Sequence, residues 1–319
     1  MLISNFIFSC NVVLPVFLLL FVGYLLRRDI LDPRTTGRLN WIVFNCALPL
    51  LLFRDISGSD LSSALDIELI SFAAISTLIV FAVIYFLAPK LVKPEEEGAF
   101  IQGVFRGNYA IVGLSIMANI LGDTQTGKAA LVIAILAPLY NILAVFTLTV
   151  KSSDRDKSKN ALDNIQEAVI NIAKNPLILG TLAGIPFSVF HIRLPGFLIS
   201  SINSLAALAS PLALLSIGAS ITMSRIRNKF KPAVIAAIMK LVVFPLIFVP
   251  ITVFIGFDRE QITILYVMLA APTAVNSYIM ADLMGNDSVL AANIVLLTSL
   301  GSLITFTIGI FLLRMINAI

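Results

Sequence analysis

Apolar runs of membrane-spanning length, separated by short polar breaks, fill almost the whole chain. A helix needs about 20 mainly apolar residues to cross a bilayer. That rule predicts ten spans. They are Asn5–Leu26, Leu39–Phe53, Ile67–Ala88, Gly98–Leu121, Gly127–Val150, Ile172–Phe190, Pro195–Met223, Pro232–Gly256, Gln261–Met284 and Val289–Met315. Span 2 is short, and span 7 is long and interrupted at Pro211. The first run reads as a spanning helix rather than a cleavable signal, because Met1–Asn5 carry no basic residue and no Ala-x-Ala exit follows.

Composition narrows the class. Of 319 residues 59% are apolar and 13% charged, and the mean hydropathy is +0.99. Soluble domains run at about 45–50% apolar and about 25% charged. Lys and Arg fall unevenly. Fifteen lie in or at the edges of the loops after spans 1, 3, 5 and 7, and five lie at the opposite ends; Arg106 and Lys240 fall deep inside spans. Positive residues collect on the cytoplasmic side, so both termini are expected outside, in a multi-pass protein of the inner or plasma membrane. The polar stretch 151–171 reads as a cytoplasmic linker between residues 1–150 and 172–319. Cys10, Cys46 and the single His191 cannot build a disulfide framework or a metal cluster. No phosphate-binding loop with Lys suggests an ATP-driven step.

The chain also resembles itself. Ile116–Asp123 reads IMANILGD and Ile279–Asn286 reads IMADLMGN, an offset of 163. Pro15 and Gly23 recur as Pro176 and Gly184 at offset 161, and Pro33 and Pro49 recur as Pro195 and Pro211 at offset 162. Each half then holds five spans. Five is odd, so the second half is inverted, as in secondary transporters that bind cargo at the repeat interface near mid-membrane.

The repeated octamers end spans 4 and 9, which are unusually polar. Span 4 carries Arg106, Gly107, Asn108, Gly113 and Ser115; span 9 carries Pro272, Thr273, Asn276, Ser277, Tyr278 and Asp282. Unpaired backbone in hydrocarbon costs several kcal/mol, so a break survives only within protein or beside a wet cavity. Gly107, Gly113 and Pro272 permit such breaks. Half-helix N-termini carry free N–H groups and partial positive charge, which suit a carboxylate. Arg106, Asn108, Ser115, Thr273, Asn276, Ser277 and Tyr278 are therefore candidate substrate contacts. Arg106 is either paired and functional or a snorkelling side chain, and for Lys240 snorkelling is favoured. Asp282 is the candidate for H⁺ or Na⁺ coupling, with a solvated helix end as the alternative. Pro49 and Pro211 read mainly as tolerated kinks.

Four words carry a likeness to a known family. They are FNCALPLLLF (Phe44–Phe53), RGNYAIVGLSIMANILG (Arg106–Gly122), SPLALLSIGASI (Ser210–Ile221) and APTAVNSYIMADLMG (Ala271–Gly285). In them the chain resembles the auxin efflux carrier family, which includes bacterial malate and malonate permease-like proteins and the plant PIN exporters. The resemblance implies a crossover fold like that of bile-acid transporters and Na⁺/H⁺ antiporters, with spans 1, 2, 6 and 7 as scaffold and spans 3–5 and 8–10 as a moving transport unit. It implies a binding role for Asn108, places Ser115 and Ser277 where the family carries crossover prolines, and adds Asn203 of span 7.

The expectation is thus an all-α membrane protein with crossed, broken spans 4 and 9. It would move small organic anions such as malate or malonate by an elevator motion, without a cofactor beyond H⁺ or Na⁺ coupling, without nucleic acid, and with a homodimer allowed. A Na⁺-coupled bile-acid-type symporter and a non-transporting sensory module are the alternatives. An enzyme is not expected, since no cluster of carboxylates or of His with Cys falls in the core.

Overall fold

The computed structural model describes residues 15, 18–27, 29–58, 66–109, 113, 116–117, 120, 127–152, 170, 174–220, 227 and 229–319. Among them every regular element is helical, and no strand forms. The helices are α1 (Pro33–Ile42), α2 (Leu48–Ser57), α3 (Ile67–Leu91), α4 (Glu97–Phe105), α5 (Gly127–Val150), α6 (Pro176–Val189), α7 (Gly196–Ala207), α8 (Ala209–Ser220), α9 (Phe230–Ile238), α10 (Phe244–Ile255), α11 (Arg259–Ala270), α12 (Asn276–Leu283) and α13 (Ser288–Met315). Among the described residues five stretches are long and apolar enough to cross a membrane: Pro33–Arg54, Ile67–Leu91, Gly196–Ala219, Phe230–Ile255 and Ser288–Met315. Ile135–Val150 and Pro176–Val189 are shorter apolar helices. Phe86, Phe190, Phe197, Leu246 and Phe254 lie exposed on the outside, as side chains facing lipid do. The protein is a multi-pass membrane protein.

Local chemistry sets the helix ends. Asp32, Asp66, Asn175, Asp258 and Asp287 each accept a backbone N–H at a helix start, which satisfies donors that the first turn leaves orphaned. Prolines set the interruptions. Val43–Ala47 and Met239–Val243 are π-helical, immediately before Pro49 and Pro245. A proline within a helix removes a donor and crowds the preceding turn, and a π-bulge relieves that crowding at the cost of one wider turn. Pro211 lies in α8, just beyond a turn at Leu208. Span 2 begins at Pro33, earlier than its apolar run, because Asp32 and Pro33 start the helix in polar sequence.

Two glycine contacts bring backbones together. A side chain at Gly180 of α6 would meet the Pro49 carbonyl of α2, and one at Gly23 would meet the Leu215 carbonyl of α8. A larger group packs beside these helices: α9 on α13, α12 on α13, and α3, α5, α9 and α12 on α4. Ion pairs clasp it at both ends. At one end Lys128 meets Glu260 at 3.0 Å and Asp66 at 3.8 Å. At the other, Lys151 meets Glu97 at 2.5 Å, and Lys229 meets both Glu96 and Asp287 at 2.7 Å. Burial opposes the charge on Glu96, but the Lys229 hydrogen bond and the Lys93 N–H outweigh it and hold the carboxyl below its ordinary value. Because Lys128 and Lys151 bound α5, the two clasps stand about 36 Å apart at 1.5 Å per residue.

Gly180→Ala is expected to force α6 away from α2 and to destabilise the protein by about 1–3 kcal/mol, the usual cost of overpacking. Thermal unfolding of the purified chain in detergent measures it.

Candidate functional site

Spans 4 and 9 meet where both lose their helix. Helix α4 runs from the Glu97 clasp and stops at Phe105, and the cap residue Arg106 is extended, at φ −86° and ψ 112°. Helix α11 runs from the opposite clasp and stops at Ala270, before Pro272. The released backbones pair. Gly107 and Thr273 form an isolated antiparallel bridge, in which Asn108 N–H donates to the Pro272 carbonyl at 2.6 Å and Ala274 N–H donates to the Arg106 carbonyl at 3.3 Å. Nine residues of α4 are about 13 Å and twelve of α11 about 18 Å. Together they match a hydrocarbon core of about 30 Å, with the crossing near its middle.

Side chains satisfy most of what the bridge leaves open. The Thr273 hydroxyl donates to the Gly103 carbonyl at 2.6 Å, and the Thr273 N–H donates to Thr298 Oγ1 at 3.0 Å. Lys240 Nζ donates to the Phe105 carbonyl at 3.4 Å. A cation there complements the negative end of the α4 dipole. A side chain at Gly107 would sit 3.2 Å from that ammonium, so glycine leaves room for it.

Arg106 is buried. Its guanidinium donates to Asn141 Oδ1 at 2.7 Å and to the Met280 sulfur. With the Gln102 amide turned over, its oxygen accepts from Arg106 Nη1 at 3.1 Å and its nitrogen donates to the Ser277 carbonyl at 3.3 Å. Such amide orientations follow from the hydrogen-bond network. Among the described residues no carboxylate pairs with Arg106 or Lys240. The expectation that Lys240 snorkels to the surface is corrected. The lysine is 4% exposed, because the α4 carbonyl offers its ammonium a partner inside.

The remaining predicted residues divide. Asn108 and Asn276 stand on either side of the crossing, half-buried, and neither side chain hydrogen-bonds within the described protein. Ser277 is buried and its hydroxyl has no partner among the described residues; Tyr278 is buried beside it. Among the described residues nothing accepts from the N–H groups of Val275 and Asn276 at the start of α12. Gly113 is buried against Tyr109 and Val267. Ser115 lies outside the described residues. Asn203 is exposed on α7, which packs on α2. Asp282 is exposed and accepts from Asn40 Nδ2 at 2.7 Å, linking α12 to α1. The sequence reading missed Gln102, Asn141 and Thr298. Polar residues in apolar spans were the available signal, but nothing in their spacing ties them to residue 106.

The chain can be compared with known proteins on this geometry. The family model described as "Membrane transport protein" matches residues 8–310. A Rhizobium meliloti (strain 1021) protein named "Putative malonate transporter" is 28% identical over 313 residues, covering 95% of each chain. An uncharacterised transporter of Methanocaldococcus jannaschii is 23% identical over 308 residues, covering 93% of this chain and 96% of its own.

Thr273→Val keeps the shape but orphans the buried Gly103 carbonyl, and is expected to cost about 1–3 kcal/mol. Ser277→Ala removes a hydroxyl without a partner and is expected to leave stability unchanged. Paired denaturation curves compare the two.

Proposed function

The chain belongs to the membrane transport protein family, that of the auxin efflux carriers, and we propose that it carries small dicarboxylates of the malonate kind through the crossing of α4 with α11 and α12. One observation carries this reading: Arg106 and Lys240 bring two buried basic side chains to the end of α4, with no carboxylate paired to either among the described residues. Charge within a membrane is expensive and marks binding sites or ion paths. A dianion offsets both charges. Around them stand groups with no hydrogen-bond partner among the described residues: the Asn108 and Asn276 side-chain amides, the Ser277 hydroxyl, and the backbone N–H groups of Val275 and Asn276. A carboxylate accepts from such groups, and a helix N-terminus favours it. The malonate in the description of the Rhizobium meliloti relative agrees with this chemistry.

The inverted repeat supplies the motion. Gly23 meets Leu215, and Gly184, its counterpart at offset 161, meets Phe53 and Ile56. Like contacts like, which supports two inverted halves of five spans. In this reading spans 1, 2, 6 and 7 form the scaffold, and spans 3–5 and 8–10, held by their two ionic clasps, move as a unit and bear the crossing across the membrane. Asp282, bonded to Asn40 across the boundary, is the group through which H⁺ or Na⁺ would bias that motion.

Proteoliposomes containing the purified chain are expected to show saturable uptake of labelled malonate. Arg106→Gln removes charged hydrogen bonds worth about 1.5–3 kcal/mol, so affinity is expected to fall by about tenfold to a hundredfold. Asn108→Ala is expected to weaken it about threefold to tenfold. Imposed H⁺ and Na⁺ gradients identify the coupling ion. Folded protein that moves no organic anion, or flux untouched by both Arg106→Gln and Lys240→Met, would overturn the proposal.

A further inference from the structure

A second basic site lies at the clasped end of the bundle, where α3 stops and α9 starts. A cavity of about 690 Å³ opens there, lined by Lys90, Lys93, Lys229 and Lys231 with Glu96 as its carboxylate and Ile235 in its wall. Lys229 is already held by Glu96 and Asp287. Among the described residues Lys90, Lys93 and Lys231 are exposed and form no ion pair within 4 Å, although the Lys93 charge also acts on Glu96. The lining therefore carries four lysines against one carboxylate and is net positive. It lies about 15 Å along α4 from Arg106, ten residues away, on the side that the Lys and Arg distribution assigns to the cytoplasm.

The helices below the cavity indicate what fills it. On α3, Ile79, Val83, Phe86 and Lys90 follow helical spacing, so they share one face, and the three apolar side chains are exposed. On α9 and its continuation, Lys231, Ile235, Ile238 and Val242 repeat the same spacing, with Ile238 and Val242 exposed. Both α3 and α9 pack against α4, so two lipid-facing stripes flank one groove, and each ends in a lysine at the cavity. A soluble anion has no use for the stripes. A phospholipid uses both parts, since basic pockets between spanning helices take anionic headgroups while acyl chains follow apolar surface. We propose that this cavity holds the headgroup of an anionic phospholipid, with its chains lying along the two stripes.

Binding of short-chain phosphatidylglycerol to the full chain in detergent, read by native mass spectrometry and by thermal stabilisation, tests this independently of transport. Phosphatidylcholine with the same chains and glycerol 1-phosphate are the comparison arms. Phosphatidylglycerol is expected to bind and stabilise where the other two do not. The K90Q/K93Q/K231Q variant is expected to bind about a hundredfold more weakly, at about fivefold per basic side chain. Lys231→Gln alone is expected to lose about fivefold, which keeps the test usable if the triple variant does not fold. Lys174→Gln, outside the cavity, is expected to change nothing. Equal binding of phosphatidylcholine would remove the charge recognition, and equal binding of glycerol 1-phosphate would reassign the cavity to a soluble anion. Unchanged binding by folded lysine variants would also overturn the proposal.

Discussion

The bridge between Gly107 and Thr273 is the constraint from which the rest follows. Two helices stop in a buried, apolar part of the protein, and the backbone groups they release there need partners inside the protein or beside a polar cavity. Antiparallel pairing supplies two hydrogen bonds, and the Thr273 hydroxyl and the Lys240 ammonium cap two α4 carbonyls. Among the described residues the N–H groups of Val275 and Asn276 stay open. A meeting of helix ends of this kind therefore creates a polar site inside an apolar helical protein as a consequence of satisfying its own backbone.

That arrangement explains the company the crossing keeps. Arg106 needs polar neighbours because it is buried, and it takes them from two other segments, Asn141 of α5 and Met280 of α12, and from Gln102 of its own α4. Ion pairs at the two ends of α5 tie it to α3, α11 and α4, and Lys229 at the start of α9 ties Glu96 before α4 to Asp287 before α13. Exposed ion pairs contribute little each, typically below about 1 kcal/mol. Here they set where helices begin and end rather than supplying the bulk of stability, which comes from the continuous apolar core.

The prolines show a second use of the same economy. Pro49 and Pro245 each follow a π-helical turn, and Pro272 lies in the break itself. In a soluble helix a lost hydrogen bond can turn to water. In lipid the helix must widen, stop or borrow a partner, and the chain does one of these at each of these three positions.

Much of this was legible beforehand. Helix α5 begins and ends where the hydropathy places it, and α3, the stretch from α9 through α10, and α13 lie within a few residues of expectation, because the length of an apolar run is set by bilayer thickness. The break in span 9 was visible in Pro272, and the polarity of both spans marked the place of the crossing. What the sequence could not carry was partnership. Lys240 reads as a snorkelling residue until α4 is seen to end beside it, and Asn141 reads as an ordinary polar residue of an apolar span until Arg106 reaches it. Spans, breaks and the uneven placement of charge are one-dimensional properties of helices in a membrane. Which buried cation meets which carbonyl depends on helices far apart in the chain packing side by side, and only the tertiary structure decided it.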